Sequence, residues 1–199
     1  MKVKIKKQNK VETFSLINSW ADVNLETWLK LIDFETGTKT EEATETIAAL
    51  SDIPKKLIKE LSLSDVAVIM SKVGELQAKQ DTKLKRIIEI NGVEYGFHPD
   101  LDSISLGEYA DIEQFIKNGI DKQLPELMSV LYRPVKLKKN DIYIIDSYDG
   151  DIRLRAEEMK QMSAAQVQSA LFFFYNLGKV LSEIMPLYLM ERLKETKTQ

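Results

Sequence analysis

Near the middle of the chain, Asn91-Gly92 separates two runs that suit strands, Leu84 to Ile90 and Val93 to Phe97. Both turn residues tolerate positive φ, which a type I′ turn requires, so the pair predicts a tight antiparallel hairpin. His98-Pro99-Asp100 ends the unit. A second hairpin is expected at the N-terminus, where Lys2, Val3, Lys4, Ile5 and Lys6 alternate with a period of two. Lys7 to Lys10 forms its turn, and Val11 to Ile17 returns as its second strand. Lysines on such an edge strand discourage unwanted pairing, and they also suit contact with phosphate or an acidic partner.

The remaining pattern is helical. Asn24 is a suitable N-cap for a helix carrying Leu25, Trp28, Leu29 and Ile32, with Trp20 and Trp28 as core anchors. Three short helices follow, over Thr40 to Ser51, after Pro54, and after Ser62 or Ser64. Asp102 or Ser105 caps a helix that ends at Gly119, and Ile120 to Tyr132 forms another, stopped by Arg133-Pro134. Val135 to Asn140 reads as a basic loop, Asp141 to Tyr148 as a short extended segment, and Leu154 to Met162 as a short helix. A long helix from Ser163 to about Leu193, with Pro186 as a kink, closes the chain. Strands and helices interleave without regular βαβ alternation. The expected class is therefore α+β, mainly helical, with an N-terminal β-hairpin, a central β-hairpin and a long C-terminal helix. Residues 1–195 are expected to form a single compact domain, with sub-parts 1–80 and 81–195. A chain of 199 residues buries about 70 % of its unfolded surface and needs no staple.

Cysteine is absent, which removes disulfides, zinc–thiolate sites, iron–sulfur clusters and cysteine nucleophiles together. The only histidine, His98, lies between Phe97 and Pro99 at a strand end and reads as structural. A Ser-His-Asp triad or a histidine zinc site is not expected around it. The eight glycines form neither a P-loop nor a GxGxxG fingerprint. Asp146, Asp149 and Asp151 flank Gly150, but calcium-loop alignment puts Ile145 and Ala156 at ligand positions, so these acids read as turn residues. The basic start MKVKIKKQNK has no apolar core after it and is not a secretory signal. The uncharged run from Gln161 to Gly178 is too polar to span a membrane. With 28 basic and 31 acidic residues, the overall field does not favour general nucleic-acid binding.

Six segments, in order, carry a resemblance. They are Ser19-Trp20 with Val23 and Trp28; Ala48-Ala49-Leu50 with Leu57; Asn91-Gly92-Val93-Glu94-Tyr95; Leu106-Gly107-Glu108-Tyr109-Ala110-Asp111; Leu131-Tyr132-Arg133-Pro134; and Phe172-Phe173-Phe174. Together they make the chain similar to a widespread group of tailed-bacteriophage proteins of the virion and tail-morphogenesis type. That resemblance implies a tail-assembly chaperone or minor structural protein, acting in the host cytoplasm or the virion. Its partners would be other phage structural or assembly proteins or a second copy of itself. It implies no enzyme and no cofactor, and it supplies no catalytic residues.

Tyr132, Arg133, Phe172 and Tyr175 are the candidate interaction residues, being types favoured at interface hot spots. Core packing and a helix stop are the competing roles. In the apolar run Leu171 to Tyr175, enclosure is expected on the Leu171/Phe174 side, with Phe172 or Tyr175 nearer the surface. Two alternative functions stay open. One is nucleic-acid binding through Lys2, Lys4, Lys6, Lys7 and Lys10 with Lys136, Lys138 and Lys139; the other is acid–base chemistry by paired carboxylates.

Overall fold

A computed structural model of the protein describes residues 1–7, 10–33, 38–78, 83–173 and 175. Over these residues the chain is α+β, with helices around two small antiparallel sheets. β1 (Lys2–Lys7) and β2 (Lys10–Ser15) pair as the expected N-terminal hairpin, in register from Lys2 opposite Ser15 to Lys7 opposite Lys10. Alternation turns Val3 and Ile5 inward and leaves Lys2, Lys4 and Lys6 exposed.

Four helices follow. α1 (Leu25–Asp33) begins where Asn24 Oδ1 accepts the Thr27 N–H at 2.9 Å, the cap expected from sequence. α2 (Lys39–Leu50) starts with a capping box between Thr38 and Glu41. α3 (Lys55–Ile58) follows Pro54, and α4 (Leu63–Ala78) is capped by Ser62, whose Oγ accepts the Asp65 N–H at 3.1 Å. Their apolar faces meet the hairpin in a first core that includes Leu16, Trp20, Ile47, Leu50, Ile58 and Ile69. No charged side chain is buried in this core among the described residues.

The second sheet runs in the order β3 (Ile87–Ile90), β4 (Val93–Phe97), β5 (Tyr132–Lys139), β6 (Ile142–Ile145), antiparallel throughout. Asn91 (φ 52°) and Gly92 (φ 79°) supply the two positive-φ positions of the β3–β4 turn. The expected basic loop from Val135 to Asn140 is instead mostly strand. Its side chains grade from buried at Tyr132 and Arg133 to exposed from Lys136 onward without a period of two, and Pro134 argued against a central strand. The Pro134 carbonyl accepts from Asp146 N at 2.9 Å, just beyond the last residue of β6, so its missing N–H falls where the ladder ends. A register break between Val135 and Leu137 follows at once, and Asn140, at φ 54°, makes the return turn. Gly96 on β4 is required by a close approach. A Cβ there would lie 2.5 Å from the Tyr143 ring, which crosses from β6 to donate its hydroxyl to the Phe97 carbonyl at 2.6 Å.

α5 (Leu106–Lys117), α6 (Leu124–Leu131) and α7 (Arg153–Met159) cover this sheet, with helical residues 164–173 after them. Leu127, Met128, Leu131, Tyr132, Met159 and Val167 are fully buried in this second core. The long C-terminal helix expected to Leu193 is described only to residue 173 and at Tyr175; Phe174, Pro186 and the rest lie outside the described residues. The two cores are joined at one seam. Ala164 donates to the Val23 carbonyl at 2.7 Å, Leu25 donates to the Met162 carbonyl at 2.8 Å, and Trp28 packs against both. No helix among the described residues is long and apolar enough to cross a membrane.

Candidate functional site

Two features of the sheet region stand out: a buried group of charges and an exposed apolar edge. The charged group begins at the α5 N-terminus. Ser105 caps the helix, and the capping box folds Glu108 back, so that its Oε2 accepts Ser105 N at 2.7 Å and Ser105 Oγ at 2.5 Å. Its Oε1 then faces Arg133 Nη2 at 2.7 Å and His98 Nε2 at 3.5 Å. Glu108 and Arg133 are only 3 % and 4 % exposed, which makes this a desolvated ion pair. The Arg133 guanidinium also lies 5.7 Å from the centre of the Tyr148 ring, and the Tyr148 hydroxyl donates to Asp111, one turn beyond Glu108 on α5.

The protonation states follow from this geometry. Burial pushes the Glu108 carboxyl up, but the two Ser105 hydrogen bonds, with Arg133 and His98 beside it, outweigh that and hold it below its ordinary value. Burial lowers His98, with Arg133 adding to the effect, and outweighs the opposite pull of Glu108 and Asp100. At neutral pH the group is thus a carboxylate, a guanidinium and a neutral imidazole. Glu108 is held by Ser105 through Oε2 and faces Arg133 through Oε1, so the charges link α5, the end of β4 and the start of β5. His98 also borders a shallow cleft of about 190 Å³, whose other walls include Leu84, Phe97, Leu101 and Phe173. Among the described residues, no group of histidine and acidic side chains is placed to hold a metal ion.

The exposed edge is β6. It is the last strand of its sheet, so its outer side carries no strand pairing among the described residues. Leu137 and Ile144 are a directly opposed pair, 66 % and 56 % exposed, and Ile142 beside them is 78 % exposed. Such an edge is open to pairing with another chain.

The sequence-selected residues separate into two sets. Tyr132 is wholly buried: its ring meets Phe97 edge-on at 5.1 Å and its hydroxyl donates to the Lys85 carbonyl at 2.7 Å. Arg133 is buried with Glu108, so neither residue is presented to a partner in this conformation. Phe172 and Tyr175 are exposed, at 53 % and 73 %, while Phe173 touches Phe97 with ring centres 5.4 Å apart. Sequence reasoning missed Glu108 and the β6 edge. The Ser105-x-x-Glu108 spacing was a usable signal for the first, and the alternation Ile142-Tyr143-Ile144 for the second. Lys136 and Lys138 are taken up by Asp146 (3.0 Å) and Glu94 (2.6 Å).

No known protein family, curated protein or solved structure matches this chain.

Proposed function

We propose that this protein is a non-enzymatic, protein-binding component of tailed-phage assembly, a tail-assembly chaperone or minor virion protein. The observation that carries the binding role is the open β6 edge with Leu137, Ile142 and Ile144 exposed beside it. An extended segment of another phage structural or assembly protein would add to this edge through backbone hydrogen bonds. Apolar contact with the three side chains would add affinity and register. A second copy of the chain could use the same edge. The phage context rests on the ordered resemblance of the six sequence segments. The neighbouring Glu108–Arg133 pair supports a scaffold role, because it holds β5, the partner strand of β6, against α5.

The test is proteomic analysis of purified virions together with pull-downs from infected cells. The reading predicts a defined phage structural or assembly protein in association with this chain. Recovery of no phage protein in either experiment would overturn it.

A further inference from the structure

We propose that the outer face of the β1–β2 hairpin binds the phosphate backbone of nucleic acid without reading sequence. Lys2, Lys4 and Lys6 lie on one exposed face of β1. Alternate strand residues are about 6.8 Å apart, a pitch comparable with neighbouring phosphates along an extended nucleic-acid strand. Their cross-strand neighbours are Ser15, Thr13 and Val11, so this face carries two hydroxyls and no carboxylate. Of the nearby acids, one is hydrogen-bonded and the other lies on the opposite face. Asp52 accepts the Ser15 N–H at 2.7 Å, and Glu12 is paired with Ile5, on the opposite face.

The contrast with other lysines on the molecule is direct. Lys30, Lys55, Lys117, Lys136, Lys138 and Lys160 each close an ion pair with a carboxylate. The three hairpin lysines make no ion pair among the described residues. Lys39, Lys56, Lys72, Lys85, Lys122 and Lys139 close no ion pair among these residues either, but on the hairpin three such cations line one strand face of a chain whose net charge is −3. An acidic protein would also be attracted. The regular single row of cations interleaved with hydroxyls fits a linear polyanion better than a folded surface of irregular charge. No aromatic side chain lies on this face to stack a base, so little sequence preference is expected.

Fluorescence anisotropy with a labelled duplex would test the surface. Three phosphate contacts predict weak binding at low salt that falls about 40-fold as salt rises from about 50 to 200 mM. The triple variant Lys2→Gln/Lys4→Gln/Lys6→Gln should lose at least tenfold in affinity while keeping its far-UV circular dichroism and melting temperature. Lys136→Gln/Lys138→Gln should bind like the parent. Absence of duplex binding at millimolar protein, or full retention by the triple variant, would overturn the proposal. Binding of polyglutamate in place of the duplex would overturn it as well, and would assign the face to an acidic protein.

Discussion

The N-terminal region, residues 1–78, and the sheet region, residues 83–173, solve the same problem differently. The first buries an apolar core between a hairpin and four helices and leaves its charges at the surface. The second buries a carboxylate and a guanidinium within its fold, beside an apolar core of similar make-up. A buried ion pair seldom adds net stability over apolar side chains of the same shape, but breaking it strands a charge. The N-terminal region should therefore tolerate polar change at its rim, whereas the sheet region depends on Glu108 and Arg133 remaining together.

Truncation inside either core gives the largest expected effect. Tyr132→Ala should cost about 3–5 kcal/mol, and Ile47→Ala about 2–5 kcal/mol. The seam at Val23–Leu25 and the shared Trp28 predict that both variants still melt in one transition. A split calorimetric transition for Ile47→Ala would show instead that the regions unfold separately. Arg133→Met comes next and should cost about 3 kcal/mol in urea denaturation, because Glu108 then stays buried without its cation. The double variant Arg133→Met/Glu108→Gln should recover a large part of that loss. If single and double variants are equally unstable, the ion pair is not what distinguishes the two regions.

Gly96→Ala ranks third, at about 1–3 kcal/mol, because the new methyl would displace the Tyr143 ring and leave the hydroxyl bond to Phe97 strained. A thermal melt checks it, and a Gly96→Ala/Tyr143→Leu double variant should melt higher than Gly96→Ala alone. The smallest effect is the pH dependence that His98 gives the sheet region. His98 faces Glu108, Arg133 and Asp100 and titrates below its ordinary value of 6.5, chiefly through burial. The unfolded chain then takes up that proton first, so stability is full above about pH 6.5 and declines as pH falls towards the folded value. Glu108 titrates below its ordinary 4.5, so its own contribution is lost only below that pH. Urea midpoints between pH 7 and 5 should fall for the parent and stay flatter for His98→Gln.

Legibility in the sequence differed between the regions for physical reasons. Local signals were enough for the hairpins at Lys2–Ser15 and Ile87–Phe97, because alternation and an Asn-Gly turn are properties of neighbouring residues. The cap at Asn24 was legible in the same way, while Ser62 and Ser105 were each one of two candidates, beside Ser64 and Asp102. β5 was not, since its burial does not alternate and Pro134 argues against a strand, and only pairing with β4 and β6 makes it one. The fate of Arg133 was equally hidden. An Arg-Pro helix stop looks the same in sequence whether the guanidinium faces water or a carboxylate that is 25 residues earlier in the chain. Tyr132 followed Arg133 inward because the α6–β5 junction places both within the fold. The open edge of β6 depends on which strand comes last in the sheet, and that order is a tertiary property.

The central claim is that the sheet region, through β6, is the protein-binding part of the molecule. A photo-crosslinking amino acid placed at Ile144 and activated during infection tests it most directly, with the same residue at the exposed Glu42 on α2 as control. The account predicts a discrete adduct between Ile144 and a phage structural or assembly protein, or a second copy of this chain, and none from position 42. Equal adducts from both positions, or none from Ile144 while the protein is folded and abundant, would contradict it.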